Sequence, residues 1–188
     1  AAGLGRVADD PNDPDRYEHK HAHAEVLVAG GGAAGIIAAM QAAMSGARVI
    51  LADEQNELGG WLLGENDVMI DNKSADSWIA DMVASLEAMD NVTLLPRTTV
   101  FGYGDHNFIT LCERVTDHMG PRPAHLPRQR LWKVRATEVI LATGAHERPL
   151  VFSGNDLPGV MLSGAARSFA NRFGALAGRR VTITTNND

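Results

Sequence analysis

The stretch Val26–Met40, "VLVAGGGAAGIIAAM", constrains this chain more than any other. An apolar run enters three glycines and leaves into an alanine-rich segment. Ordering glycine costs more conformational entropy than ordering any other residue. A glycine cluster between two regular elements therefore marks a place where something approaches the backbone more closely than side chains allow. "EVLVAG" reads as a short buried strand, "GIIAAMQAAMSG" as a helix stopped by Gly46, and "ARVILADE" as a second strand. Gly30, Gly32 and Gly35 form G-x-G-x-x-G between the first strand and the helix, and Asp53 ends the second strand. This is the context of the dinucleotide fingerprint. Gly30 permits the tight turn, Gly32 leaves room for a pyrophosphate, and Gly35 lets helix and strand pack closely. The helix N-terminus adds N–H donors and partial positive charge for the phosphates. Asp53 or Glu54 can accept hydrogen bonds from an adenosine ribose, and either carboxylate repels a 2′-phosphate. NAD or FAD is thus favoured over NADP.

The α/β pattern continues downstream. "SADSWIADMVASLEAMDNV" reads as a helix with Ser74 as N-cap and Trp78, Ile79, Met82, Val83, Leu86 and Met89 on one face. "NVTLLPR" is a third strand. "TTVFGYG", "NFITLCERV" and "RLWKVRA" read as an antiparallel meander, and "TEVILATG" as another buried strand. "SGAARSFANRFG" reads as a short helix and "GRRVTITTNND" as the beginning of a new strand. The expected fold class is α/β: a Rossmann-type parallel sheet with a three-stranded antiparallel meander, truncated. The expected organisation is an N-terminal arm or linker over 1–23, a dinucleotide-binding domain over 24–148, and over 149–188 a linker helix with the first strand of an incomplete second nucleotide-binding-like domain. Thr185 stands where a second glycine loop would begin.

Composition narrows the partners. The net charge of −6 argues against nucleic acid or an anionic membrane surface. No apolar run is long enough to span a membrane, and the first residues lack the basic-then-apolar pattern of a signal peptide. Cys112 is the single cysteine, which fits a cytoplasmic setting and excludes the paired-cysteine chemistry of disulfide reductases.

Ala142, Thr143 and Gly144 end the strand after the meander, and "ELGG" follows the acidic strand. In that order these features resemble the two-dinucleotide-binding flavoproteins, in which the small residues of the A-T-G strand end pass near the nucleotide. The likeness extends to loops. "RYEHKHAHAEVLVAGGGAAG", "ILADEQNELGGWLL", "LPRTTVFGYGDHNFITLCERVTDH", "QRLWKVRATEVILATGAHERPLVFSGNDLPGVM" and "GRRVTITTNND" resemble the α subunits of heterotetrameric sarcosine oxidases, which are much longer. The resemblance implies a complex with β, γ and δ subunits. There sarcosine is oxidised to glycine with FAD, electrons pass through FMN to oxygen to give hydrogen peroxide, and tetrahydrofolate captures the methylene group. It implies NAD in a non-redox role on this chain, contacted by Ala34, by Asp53, Glu54 and Gln55, by Trp61 and by Val100, and no catalytic residue here. Two alternatives stand beside it: the equivalent subunit of an opine or proline dehydrogenase complex binding FAD or ATP, and a structural module that keeps the glycine loop without a nucleotide.

Other residues invite chemistry and are given plainer readings. His19, His21 and His23 alternate and would share one side of an extended segment, but a metal needs converging ligands with support behind them; packing against the domain is expected. Trp132 reads as core. Arg122, Arg128 and Arg130 read as a solvated basic loop. His146, Glu147 and Arg148 have no nucleophile to pair with.

Overall fold

The computed structural model describes residues 13, 15–121 and 123–185. Among the described residues eight strands run in chain order: β1 (Tyr17–Ala29), β2 (Val49–Ala52), β3 (Met69–Ile70), β4 (Lys73–Ser74), β5 (Val92–Leu95), β6 (Thr98–Gly104), β7 (Phe108–Arg114) and β8 (Gln129–Leu141). The helices are α1 (Ala33–Met44), α2 (Ala75–Glu87) and α3 (Ser163–Phe173), with a 3-10 helix over Gly60–Gly64. Six strands form one sheet in the order β5-β2-β1-β8-β7-β6. The pairs β5–β2, β2–β1 and β1–β8 are parallel, and β8–β7 and β7–β6 are antiparallel. β3 and β4 form a separate antiparallel pair. The α/β class with a parallel sheet and antiparallel meander agrees with the sequence pattern.

Alternation along the central strands feeds two cores. Val28 and Leu51 face the helices and pack with Ile36, Ala39 and Met40 of α1 and Trp78, Ile79 and Leu86 of α2. Leu27, Ala29, Ile50 and Leu95 face the other way and pack with Ile109, Leu111, Trp132 and Val134 of the meander. This second core exists because the sheet curls. β5 and β6 lie at opposite ends of the strand order, yet only Pro96 and Arg97 separate them. Arg97 takes φ +55° to make the turn. Its N–H donates to the Gln55 carbonyl at 2.8 Å, and the Thr98 N–H donates to the Asp53 carbonyl at 2.7 Å. β6 is thereby drawn over the end of β2.

Helix ends follow their sequence signals. The Ser74 side chain accepts the Ser77 N–H as N-cap of α2. Gly46, just past α1, has φ +91° and donates its N–H to the Ala43 carbonyl at 2.9 Å.

Several elements differ from expectation. β1 begins at Tyr17, inside the stretch read as a linker; residues 1–12 and 14 of that stretch lie outside the described residues. Tyr17–Ala24 ladders in parallel onto Gln129–Ala136, so its polar alternation is that of a strand with one wet face. Arg128 and Arg130 are not a free basic loop. Arg128 pairs with Asp15 at 2.8 Å and with Asp117 at 2.5 Å, and Arg130 with Glu18 at 2.6 Å and Glu113 at 2.7 Å, along the β1–β8–β7 seam. Arg122 lies outside the described residues. "RLWKVRA" and "TEVILATG", read as two strands, are the single strand β8, because β1 accompanies it throughout. Finally, residues 178–185 form no strand; with no neighbouring strand beside it, an apolar alternation has nothing to pair with. Residues 186–188 of that expected strand lie outside the described ones.

Candidate functional site

β1 delivers the glycine loop at the end of the parallel sheet, where doubly wound folds bind ligands. Gly30 has φ +104°, and a Cβ there would overlap the Ala142 carbonyl. A Cβ on Gly35 would overlap the Gly30 carbonyl. These two glycines therefore serve close packing between β1, β8 and α1. Gly32 differs. Its φ is −72°, and a Cβ would find nothing nearer than the Gly60 Cα at 4.0 Å. The expectation of space at Gly32 holds, whereas no left-handed conformation is required there. Gly32 is the N-cap residue of α1, no side chain caps this helix, and its first turn carries no acid. α1 thus begins without a side-chain cap, the arrangement that suits a helix N-terminus to anions.

Asp53, at the end of β2, fixes this loop. Its Oδ2 accepts the Gly31 N–H at 2.5 Å and its Oδ1 accepts the Gln55 N–H at 2.7 Å. The "ELGG" turn closes the other side. Gly59 donates its N–H to the Gly31 carbonyl at 2.8 Å, and Gly32 and Gly59 form a parallel bridge. Gly59 and Gly60, at φ +132° and +56°, allow that approach.

Together these elements enclose a cleft of about 680 Å³. It is lined by Gly30, Gly32, Ala34, Asp53, Glu54, Gln55, Trp61, Val100, Ala142, Thr143 and Gly144. Of the cofactor-binding residues expected from the sequence only Gly35 is not in the lining; it is buried beneath the loop. Val100 reaches the cleft because β6 folds back over β2, and among the described residues β6 is a sheet edge with no strand beyond it. The cleft fits a dinucleotide in three respects: a glycine loop opening an uncapped helix, a carboxylate at the second strand end, and an open backbone edge suited to a base.

The structure adds a wall that the sequence disclosed only at Trp61. The 3-10 helix over Gly60–Gly64 lines the cleft, as do His146 and, from α3, Ser168 and Arg172. α3 is fastened to this wall. Asn171 donates to the Gly64 carbonyl at 2.8 Å, Arg167 pairs with Glu65 at 2.7 Å, and Arg172 pairs with Glu57 at 2.7 Å. The Trp61 ring lies against Gly164, where a Cβ would come within 2.5 Å of it, and the Arg167 guanidinium stands 5.7 Å from the ring centroid. Glu147 caps α3, accepting the Ser163 hydroxyl and the Gly164 N–H, the latter at 2.8 Å. These bonds hold its carboxyl below the ordinary glutamate range. Glu147 thus caps the start of α3. For α3 the only hint in the sequence was the i, i+4 spacing of Ser168 and Arg172.

The remaining candidates stay outside the cleft. His19, His21 and His23 are exposed on β1 instead of packing against the domain. Among the described residues no three His, Cys, Asp or Glu side chains converge as metal ligands. Burial, the largest influence, raises the Cys112 thiol above its ordinary range and disfavours the thiolate. Trp132 is buried and donates its indole N–H to Glu113 at 2.7 Å. No helix among the described residues is long and apolar enough to cross a membrane.

Residues 25–105 match the family model described as FAD dependent oxidoreductase. The sarcosine oxidase α subunit from Corynebacterium sp. (strain P-1) is 49% identical over 187 residues, which cover 99% of this chain. The chain belongs with the sarcosine oxidase α subunits. It spans 19% of the length of that relative. Sarcosine oxidase is an oxidoreductase. A second relative, from the opine oxidase of Agrobacterium tumefaciens (strain Ach5), is 32% identical over 163 residues, covering 85% of this chain and 31% of the relative. Among solved structures, L-proline dehydrogenase from P. horikoshii superposes with a TM-score of 0.69 at 26% identity, over 86% of this chain and 31% of that one. The sarcosine oxidase likeness and the FAD-dependent family model thus meet on residues 25–105, which supply the glycine loop, Asp53, Trp61 and Val100 of the cleft.

Proposed function

We propose that this chain is the nucleotide-holding part of a sarcosine oxidase α subunit, and that the nucleotide is NAD in a non-redox role. One observation carries the nucleotide reading: Gly32 is open where Gly30 and Gly35 are packed shut, at the uncapped N-terminus of α1. Asp53 and Glu54 at the cleft favour a free ribose over a 2′-phosphate. In this reading Gly30–Gly35 hold the pyrophosphate, Asp53, Glu54 and Gln55 the adenosine ribose, Val100 the adenine edge, and Trp61 with Ala142, Thr143 and Gly144 the far side. The chain is not catalytic alone. Oxidative demethylation of sarcosine, with FAD, FMN and tetrahydrofolate, belongs to the assembled complex with β, γ and δ subunits, in the cytoplasm.

A second reading is supported by the FAD-dependent family model and by the opine oxidase likeness: the same cleft holds FAD or ATP in the equivalent subunit of an opine or proline dehydrogenase complex. Denaturing the purified protein and weighing the released nucleotide separates the readings. NAD at stoichiometric level and a colourless protein are expected. Released FAD with flavin absorption overturns the NAD assignment, and no nucleotide at all favours a structural module. The pure chain is also expected to release no peroxide on addition of sarcosine; measurable peroxide contradicts the division of labour.

A further inference from the structure

The proposed nucleotide brings two phosphate charges into a cleft that already holds Asp53 and Glu54. The N-terminus of α1 supplies partial positive charge, equivalent to about half an elementary charge. Among the described residues lining the cleft, Arg172 is the one arginine or lysine. It comes from α3, outside the glycine-loop motif, and Ser168 lies one turn before it on the same wall. Three features prepare this guanidinium for an anion. Its side chain is about three-quarters buried, at 24% exposure. Glu57 holds it at 2.7 Å from a carboxylate that is itself 57% exposed. The Phe173 ring supports it at 5.4 Å. α3 cannot drift from the cleft, because Asn171 and Arg167 fasten it to Gly64 and Glu65.

We propose that Arg172, assisted by the Ser168 hydroxyl, binds the phosphate-bearing part of the dinucleotide from the α3 wall, and that Glu57 is the internal carboxylate which the phosphate displaces. The proposal rests on the dinucleotide reading of the cleft. It makes α3 part of the binding site and Arg172 its principal neutralising charge. A guanidinium offers forked donors to phosphate oxygens and is weakly hydrated, so exchanging one anionic partner for another costs it little. Glu57 competes with the ligand, so its removal frees the donor.

The test is a set of calorimetric titrations on the full chain with NAD, FAD, ADP and adenosine. Arg172→Gln is expected to weaken whichever pyrophosphate ligand the parent binds by roughly 10- to 100-fold and to leave adenosine unchanged. Glu57→Gln is expected to leave affinity equal or to raise it a few-fold. Ser168→Ala is expected to weaken the pyrophosphate ligand less than Arg172→Gln does. If Arg172 serves only as a brace, Glu57→Gln breaks the same ion pair and weakens binding as much as Arg172→Gln, which overturns the proposal. So does parent-like affinity in Arg172→Gln, or an equal loss for adenosine. Should Arg172→Gln fail to fold by circular dichroism, Arg172→Lys replaces it. An intermediate loss confined to pyrophosphate ligands supports the proposal, and parent-like affinity overturns it. A parent that binds none of the pyrophosphate ligands overturns the dinucleotide reading and this proposal together, whereas a parent that binds one while both arginine variants match it overturns this proposal alone.

Discussion

Asp53 Oδ2 accepts the Gly31 N–H at 2.5 Å, so the acid at the end of β2 is bonded into the glycine loop before any ligand arrives. Its other oxygen holds the Gln55 N–H at 2.7 Å. Asp53 also lines the cleft. The carboxylate shapes the loop, and in the proposed function it is also the ribose acceptor.

Removing Asp53 is therefore expected to act twice. Asp53→Ala loses ribose bonds and leaves two backbone N–H groups without their acceptor. A hydrogen bond to a charged group contributes about 1.5–3 kcal/mol, so nucleotide affinity should fall at least tenfold and the melting temperature should fall with it. Asp53→Asn keeps one carbonyl acceptor and should recover more of the melting temperature than of the affinity. Calorimetric titration beside thermal melts checks the split; a parent-like melting temperature in Asp53→Ala would refute the loop-shaping role.

Gly32 and Gly35 should respond in opposite ways. Gly35→Ala drives a methyl into the Gly30 carbonyl, and overpacking costs about 1–3 kcal/mol or more. It should lower stability whether or not ligand is present. Gly32→Val meets open space at an ordinary φ of −72°. It should fold with a near-parent urea midpoint and bind no dinucleotide. Equal destabilisation in both variants would mean that Gly32 too serves packing.

Trp61 should report the cleft. It is 47% exposed and lines the cavity, whereas Trp78 and Trp132 are 5% and 9% exposed and sit in the two cores. Nucleotide binding is expected to quench tryptophan emission in the parent and not in Trp61→Phe. A quench that survives Trp61→Phe would place the ligand elsewhere.

Acid should loosen one corner of the sheet. Arg48, through a bidentate side-chain contact and its backbone N–H, holds the Glu25 carboxyl down at about 2. A carboxylate depressed in the folded state contributes stability above its unfolded pKa and loses it as pH falls toward the folded value. The urea midpoint should decline between about pH 4.5 and 2, and Glu25→Gln should flatten that decline. Because the pair is exposed, salt should shrink the effect. An unchanged slope in Glu25→Gln would assign the acid sensitivity to other carboxylates.

The residues read correctly in the sequence are those whose signal is local. The glycine loop, the acid ending β2, the apolar stripe of α2 and its Ser74 cap each carry a signature within a few residues of sequence, in spacing, periodicity or capping chemistry, even where the partner is distant, as Gly31 is from Asp53. What escaped depends on distant partners. Tyr17–His23 is a strand because β8 lies beside it, and its His-x-His-x-His alternation was the one trace of that. β8 is continuous because β1 never leaves it. Arg172 enters the cleft only because Asn171 and Arg167 dock α3 onto Gly64 and Glu65, residues distant in the chain. Val100 was placed at the site by resemblance alone; the physical cause is the two-residue turn at Pro96 and Arg97 that curls the sheet.

The β1–β8 ladder also sets an order of events on the ribosome. It joins Tyr17 to Gln129 and Ala29 to Leu141, so β1 waits for most of the described chain to be synthesised before its second neighbour arrives. Until then its apolar face and open backbone edge are exposed, the condition in which strands recruit wrong partners. The Ala142 carbonyl on which Gly30 rests is made later still. A nascent chain halted within the meander therefore owns every residue of the glycine motif and still lacks the side of the cleft that Ala142–His146 and α3 supply. Under the proposed function, nucleotide capture becomes a late step of biosynthesis, open only to chains in which β8 already lies between β1 and β7.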